Sequence, residues 1–208
     1  KTASFVKEIG SEAAREYFLA IDETRAVEKL TDDHVLKTAS FVKEIGPSAA
    51  REYFLAIGWT GAVEELTDDH VLKTASFVKA IGPSAASAYF WTIGWTGAVK
   101  ELTDDHVLKT ASFVKAIGPE AAKAYFWTIG WTGAVEELTD DQVLKTASFV
   151  KEIGPEAAEA YFQVIAETGA VEELTSMSVL EAANLFKGIG YDEAYRRFKE
   201  IAEKEAVE

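Results

Sequence analysis

The chain contains no cysteine, a single methionine and only four prolines among its 208 residues. The lack of cysteine excludes disulfides, thiolate chemistry and cysteine-ligated zinc. No apolar run approaches the ~20 residues of a membrane-spanning helix, and no signal peptide opens the chain. Basic residues are few, and the net charge of −14 opposes binding to nucleic acid and to anionic membranes. We therefore expect a soluble protein, compatible with the cytoplasm, that binds neither.

The dominant feature of the sequence is an internal repeat. The motif Leu-Thr-Asp-Asp-His-Val-Leu starts at Leu30 and returns at Leu66 and Leu102, then with Gln142 replacing His, and in degraded form from Leu174. The interval is 36 residues each time. We predict a single repeat domain over residues 1–208, whose first and last repeats act as caps. The repeats are 1–29, 30–65, 66–101, 102–137, 138–173 and 174–208.

Two neighbouring repeats, Leu66–Glu101 and Leu102–Glu137, differ at only three positions. Such close copies indicate either recent duplication or consensus engineering. We favour engineering, because consensus repeats are unusually designable when each one needs only its neighbours. The chain begins at Lys1, inside a repeat and without methionine, which is typical of a fragment or a trimmed product.

The residues at segment ends predict two helices in each repeat. In the second repeat we expect Thr31 to be the N-cap of the first helix, with the two aspartates that follow in its first turn. Apolar residues at helical spacing then continue to Gly46, where this helix ends. Pro47 opens the second helix at its first position.

If the second helix continued past Gly58–Gly61, the apolar residues that follow would lie on its opposite side. We therefore predict that the helix breaks or kinks there, with Thr60 capping a short connector helix. One hairpin cannot bury both faces of its helices, so the repeats must stack. The predicted fold is all-α: a right-handed α-solenoid of six stacked 36-residue helical hairpins with a short connector helix. Equivalent residues such as Phe41, Phe77 and Phe113 should be equally buried.

The arrangement of helix, glycine and helix with an alanine and an aromatic residue four apart resembles tetratricopeptide repeats. It is clearest from Gly190 to Phe198, where Ala194 precedes Phe198. The pair recurs at Ala14/Phe18, Ala50/Phe54, Ala86/Phe90, Ala122/Phe126 and Ala158/Phe162. The repeat is two residues longer than in that family and lacks its closing proline. The resemblance implies an α-solenoid that binds peptides or proteins.

A second, shorter resemblance covers Leu138–Ser148, which is similar to the opening of a transcription-activator-like effector repeat. In that family the next two residues read a DNA base, but here they are Phe149 and Val150, and the helix continues through Lys151. The base-reading loop is missing, so a nucleic-acid-binding repeat is the third and least favoured function.

Residues that often carry chemistry have structural explanations here. His34, His70 and His106 share one repeat position, so stacking places neighbours ~10 Å apart, too far to share a metal ion. The aspartate pairs are explained as partners of the helix dipole. No nucleophile has a base partner, and no phosphate-binding glycine loop occurs. We expect no enzyme, no catalytic residue, no metal site and no cofactor.

Departures from the repeat carry the functional information. Outward positions of the second helix hold charged residues near both ends of the chain, such as Arg15, Glu23, Glu159 and Glu167. In the central repeats the same positions are apolar, and the end of the first helix changes from glutamate to alanine. The predicted interaction site is Trp59, Trp91, Thr92, Trp95, Trp127, Thr128, Trp131, Ala88, Ala124, Ala80 and Ala116.

A helix that is apolar almost all round is normally covered on both sides. Three interpretations are open for the tryptophan-rich face: core between repeats, contact with another copy of the chain, or a groove for a hydrophobic ligand or a peptide helix. We favour self-association as a homodimer or higher oligomer. The face has few polar groups to orient a guest, and near-identical neighbouring repeats suit a symmetric contact. The predicted function is a non-enzymatic, self-associating repeat scaffold.

Overall fold

The computed structural model describes residues 1–205 and is helical without a strand in that range. Equivalent helices of successive repeats pack side by side, which confirms an all-α architecture of the α-solenoid kind. A short 3₁₀ helix spans Val35–Lys37. The α-helices are α1 Thr2–Ile9, α2 Ser11–Thr24, α3 Val27–Leu30, α4 Ala39–Ile45, α5 Pro47–Thr60, α6 Val63–Leu66, α7 Asp69–Leu72, α8 Ala75–Ile81, α9 Pro83–Thr96, α10 Val99–Leu102, α11 Asp105–Leu108, α12 Ala111–Ile117, α13 Pro119–Thr132, α14 Val135–Leu138, α15 Asp141–Leu144, α16 Ala147–Ile153, α17 Pro155–Thr168, α18 Val171–Leu174, α19 Met177–Glu181, α20 Ala183–Phe186 and α21 Tyr191–Glu205.

The chain divides into two compact bodies, an N-terminal body of Lys1–Thr103 and a C-terminal body of Asp104–Glu208. In the N-terminal body the long helices α2, α5 and α9 form one layer, and the shorter helices α1, α4 and α8 form a second layer against it. In the C-terminal body α13, α17 and α21 form the long-helix layer, and α12, α16 and α20 follow one another in the short-helix layer.

The third, fourth and fifth repeats begin on an aspartate N-cap and not on the threonine before it. Asp68 has an extended backbone, and its Oδ1 accepts a hydrogen bond from the backbone N–H of His70 at 2.8 Å. Thr67 instead closes the preceding connector helix, because its hydroxyl donates to the C=O of Val63 at 2.7 Å. The predicted threonine N-cap is therefore wrong by one residue. The aspartate bond recurs at Asp32, Asp104 and Asp140.

The first helix of the hairpin is split, where one continuous helix was predicted. Helix α7 ends at Leu72, and α8 starts at Ala75. Between them Thr74 is buried, and its hydroxyl donates to the C=O of Val71 at 2.8 Å. A threonine that bonds back to an earlier carbonyl competes with the helical backbone and bends the chain.

The second helix runs through Gly58 and Trp59 and stops at Gly61, whose φ of +79° is the left-handed conformation that closes many helices. The predicted break thus falls at the last residue of Gly58–Gly61. The Thr60 hydroxyl donates to the C=O of Ala56 at 2.6 Å and accepts from the N–H of Ala62 at 3.1 Å. It therefore links the end of α5 to the connector helix α6.

An aromatic contact joins successive repeats. Phe54 lies edge-on to Phe5 and Tyr17 of the preceding repeat, with ring centroids 6.3 and 5.2 Å away. The Tyr17 hydroxyl donates to the C=O of Leu30 at 2.9 Å, which ties the connector helix to the same core. Equivalent aromatic contacts are made by Phe90, Phe162 and Phe198. The predicted equal burial of Phe41, Phe77 and Phe113 is confirmed, since all three are buried.

Candidate functional site

Three tryptophans at one repeat position are exposed. Trp59, Trp95 and Trp131 lie next to the last residue of α5, α9 and α13, and their exposed fractions are 51%, 58% and 63%. Large apolar side chains are usually buried, so a row of exposed ones at one position is informative. The interpretation of the tryptophans as core does not hold for these three, which we call the tryptophan row after their shared repeat position. Trp59 and Trp95 lie in the N-terminal body, and Trp131 lies in the C-terminal body.

A second tryptophan supports the exposed one in each of the two central repeats. Trp91 and Trp127 are half-buried and lie one helical turn before Trp95 and Trp131. In α9 the two rings stack, with centroids 6.4 Å apart and planes inclined by 21°. In α13 the rings meet edge to face at 5.9 Å. Each central repeat therefore presents a tryptophan pair with a supported outer ring.

Three residues predicted on this face are buried instead. Thr92 and Thr128 are 1% and 3% exposed, and their hydroxyls donate to the C=O groups of Ala88 and Ala124 at 2.8 and 2.9 Å. The side chain of Ala124 is itself buried, whereas that of Ala88 is half-buried. One residue step turns a helix position by about 100°, enough to move it from the open face to the packed side. The structure therefore places Thr92, Thr128 and Ala124 away from the open face.

The remaining predicted residues are exposed but lie elsewhere. Ala80 and Ala116 are exposed near the ends of α8 and α12, in the short-helix layer. Ala80 precedes the start of α9 at Pro83, whereas Trp95 lies at the other end of that helix, about 18 Å along its axis. The structure therefore does not bring the alanines of the first helix together with the tryptophans.

Charged residues that already have partners occupy the tryptophan position in the flanking repeats. Glu23 accepts an ion-pair contact from Arg51 at 3.1 Å. Glu167 accepts hydrogen bonds from the Tyr195 hydroxyl and the Gln163 amide, and these bonds lower the pKa of Glu167. The side chain at this repeat position is thus a solvated carboxylate in the flanking repeats and an indole ring in the central ones.

Sequence reasoning missed an exposed aromatic residue at the start of the chain. Phe18 is 51% exposed, although Phe54 at the same repeat position is completely buried. Leu19 and Leu55 differ in the same way, at 43% and 6%. The rings of Phe5 and Tyr17 cover Phe54, whereas the ring contact recorded for Phe18 is with Tyr17 of its own helix.

Comparison of the chain with protein-family models, with curated proteins and with solved structures finds no match in any of the three. Across residues 1–205, no helix combines the length and apolarity required to cross a bilayer.

Proposed function

We propose that the chain is a non-enzymatic helical-repeat scaffold that associates with further copies of itself through the tryptophan row. The proposal includes the finer fold, a right-handed solenoid of six 36-residue hairpins in one repeat domain, as the resemblance to tetratricopeptide repeats implies. The observation that carries it is the tryptophan row itself: three indole rings at one repeat position, each more than half exposed.

The exposed area of the indole rings supports a place for them at the centre of an interface. A ring of this class buries ~150–250 Å² when fully covered, so each half-exposed indole leaves roughly 100 Å² open. A stable interface buries ~800 Å² on each partner. The tryptophans of each body would therefore form the centre of such a contact, and neighbouring side chains its rim. Tryptophan is among the residues that dominate binding energy at interface centres.

A second copy fits this surface better than a small polar guest. The hydroxyls of Thr92 and Thr128, predicted on the same face, are used by the helix backbone. They are not free to orient a ligand. A second copy offers a matching row of indoles, and pairing equal surfaces about a two-fold axis forms a closed dimer. This favours a homodimer.

The test replaces the row by the residue that this position has in the flanking repeats. The triple variant Trp59→Glu, Trp95→Glu, Trp131→Glu copies Glu23 and Glu167 and should keep the helical circular dichroism spectrum. We expect its mass by light scattering to be that of a monomer at every concentration. The charge-matched control is Ser40→Glu, Ser112→Glu, Ser148→Glu, at exposed positions of the short-helix layer. This control should associate like the original chain.

Two results contradict the proposal. If the original chain is a monomer at all concentrations, or if the triple tryptophan variant associates as strongly as the control, the row is not a self-association surface. A monomeric original chain whose tryptophan fluorescence responds to a hydrophobic dye or an amphipathic helical peptide supports the groove interpretation instead.

A further inference from the structure

The short-helix layer contains predicted interaction residues that the tryptophan row does not use. Ala80 and Ala116 stand where the second and fifth repeats have Glu44 and Glu152, so the third and fourth repeats lose a carboxylate there. An exposed lysine precedes each of these positions, at Lys43, Lys79, Lys115 and Lys151. The helix dipole accounts for a lysine in the last turn of each short helix. It acts equally in every repeat, so it does not explain why the glutamate is lost from two of them.

In the N-terminal body the open sides of α4 and α8 form one continuous surface. The two helices pack side by side, and the Ser76 hydroxyl of α8 donates to the Glu44 carboxylate of α4 at 3.5 Å. The exposed side chains of these helices are Ser40, Lys43 and Glu44 in α4 and Ser76, Lys79 and Ala80 in α8. We call this surface, and the corresponding one on α12 and α16 of the C-terminal body, the lysine face.

The ammonium groups of the lysine face are available to a partner. Within the described part of the chain, none of Lys43, Lys79, Lys115 and Lys151 forms an ion pair. At ~0.15 M salt an exposed charge acts over only ~8 Å, so a small partner on this face responds mainly to the lysines beneath it. The lysine face therefore attracts a short acidic partner, although the net charge of the chain is −14.

The spacing of the lysines fits a partner that is itself a helix. The axes of packed helices lie ~8–10 Å apart, and this sets the spacing between Lys43 of α4 and Lys79 of α8. Two turns of a helix advance ~11 Å, so partner carboxylates about seven residues apart can reach both flexible lysines. Ser76 and Ala80 are short and lie one turn apart, which lets such a helix approach α8 closely.

Other anionic partners have less to bind on this face. The exposed residues of α4, α8, α12 and α16 include no aromatic ring and no arginine, so nucleic-acid bases would have nothing to stack on. They also include no large apolar side chain that could enter a bilayer.

We propose that the lysine face binds an acidic helix of a partner polypeptide, whose carboxylates pair with the lysines of neighbouring short helices. The change from glutamate to Ala80 and Ala116 removes a like charge that would repel this helix. The site lies in the short-helix layer and does not use the tryptophan row.

The test uses a dye-labelled, alanine-rich helical peptide whose glutamates recur at i and i+7. Fluorescence anisotropy measures its binding to the full chain at ~0.15 M salt. We expect saturable binding that weakens as salt is added, and no binding of the same peptide with glutamine in place of glutamate.

The variant Ala80→Glu, Ala116→Glu restores the carboxylate that the chain has at Glu44 and Glu152, and it should weaken peptide binding by about ten-fold. The control Lys100→Glu changes the net charge by the same amount on the connector helix α10, and it copies Glu136 of the next repeat. Its affinity should stay within about two-fold of the original chain. Both variants use residues that the chain already has at equivalent positions, so both should keep the helical circular dichroism spectrum.

A chain that does not bind the glutamate peptide overturns the proposal, and so does equal weakening in the alanine variant and its control. Tighter binding of a single-stranded oligonucleotide, or of vesicles of phosphatidylcholine and phosphatidylserine, also overturns it. Loss of peptide binding in the triple tryptophan variant would place the peptide on the tryptophan row instead. The tryptophan row is tested by the mass of the chain without peptide, so either proposal can fail while the other stands.

Discussion

At the scale of single residues, short polar side chains that bond to the backbone decide where each helix starts and ends. Asp68 caps α7, Thr74 separates α7 from α8, and Thr60 closes α5. Aspartate and threonine are both good N-caps, so the adjacent pair in the repeat motif did not reveal which residue has that role. The structure decides it, because Asp68 accepts from the N–H of His70, whereas the Thr67 hydroxyl donates back to the C=O of Val63.

We predict that Asp68→Ala lowers the free energy of unfolding by ~1 kcal/mol, because the N–H of His70 loses its acceptor. The bond from that N–H holds the pKa of Asp68 below its ordinary value of 3.8. The contribution of the charged cap is therefore complete above pH 3.8 and is lost as the pH falls through the lowered pKa. Urea unfolding in neutral and acidic buffer measures both effects.

Asp68→Asn is the matched control, since the amide oxygen can cap the helix without titrating. It should retain most of the stability in neutral buffer and lose the part of the acid dependence that belongs to Asp68. Equal losses in the alanine and asparagine variants would mean that the cap bond does not stabilise α7.

At the scale of helices, Gly58 brings α5 close to α2. A Cβ there would lie 2.5 Å from Oγ1 and 2.8 Å from Cβ of Thr24. Rotation of the threonine about its own Cβ cannot remove the second contact, so the helices themselves must separate. Alanine stands at this position in α17, as Ala166, so such a pair of helices can accept a methyl group.

We predict that Gly58→Ala destabilises the protein by about 1 kcal/mol, although the same change in an exposed helix interior stabilises by about that amount. The methyl group must push α5 away from α2, and this loss exceeds the gain in helix propensity. Thermal unfolding measures the sign. The combination with Thr24→Gly removes the contact and should turn the effect of Gly58→Ala stabilising. A stabilising Gly58→Ala in the original chain would show that close approach is not required.

The helices that were predicted best are those fixed by local sequence. Pro47 and the glycine before it set the start of α5, and Gly61 sets its end, as residue types alone imply. Which side of the helix is open depends on the angle at which repeats stack, and no local pattern encodes that angle. This is why Thr92 was expected beside Trp91 on the surface and is buried one step around the helix.

At the scale of the whole molecule, each body contains a core in which tyrosines at one repeat position are buried beneath connector helices. Tyr53 and Tyr89 lie in the N-terminal body, and Tyr125 and Tyr161 in the C-terminal body. Their hydroxyls donate to the C=O of the connector leucine, at 3.0 Å from Tyr53 to Leu66. Burial raises the pKa of all four well above the ordinary value of 10.0.

We predict that both bodies lose stability steeply in alkali. Below pH 10.0 these tyrosines are neutral in the folded and unfolded chain, and the stability is complete. As the pH rises further, the unfolded chain ionises while the folded chain keeps its protons, so each buried tyrosine removes up to ~1.4 kcal/mol per pH unit.

Tyr53→Phe should cost ~1 kcal/mol in neutral buffer, where the Leu66 carbonyl loses its donor, and should reduce the alkaline slope. The control Ile57→Val removes a buried methyl group from the same helix and costs ~0.5–1.5 kcal/mol without a titrating group. It should leave the slope unchanged in urea unfolding across the pH series. Equal slopes for Tyr53→Phe and Ile57→Val would mean that Tyr53 ionises equally in the folded and unfolded chain.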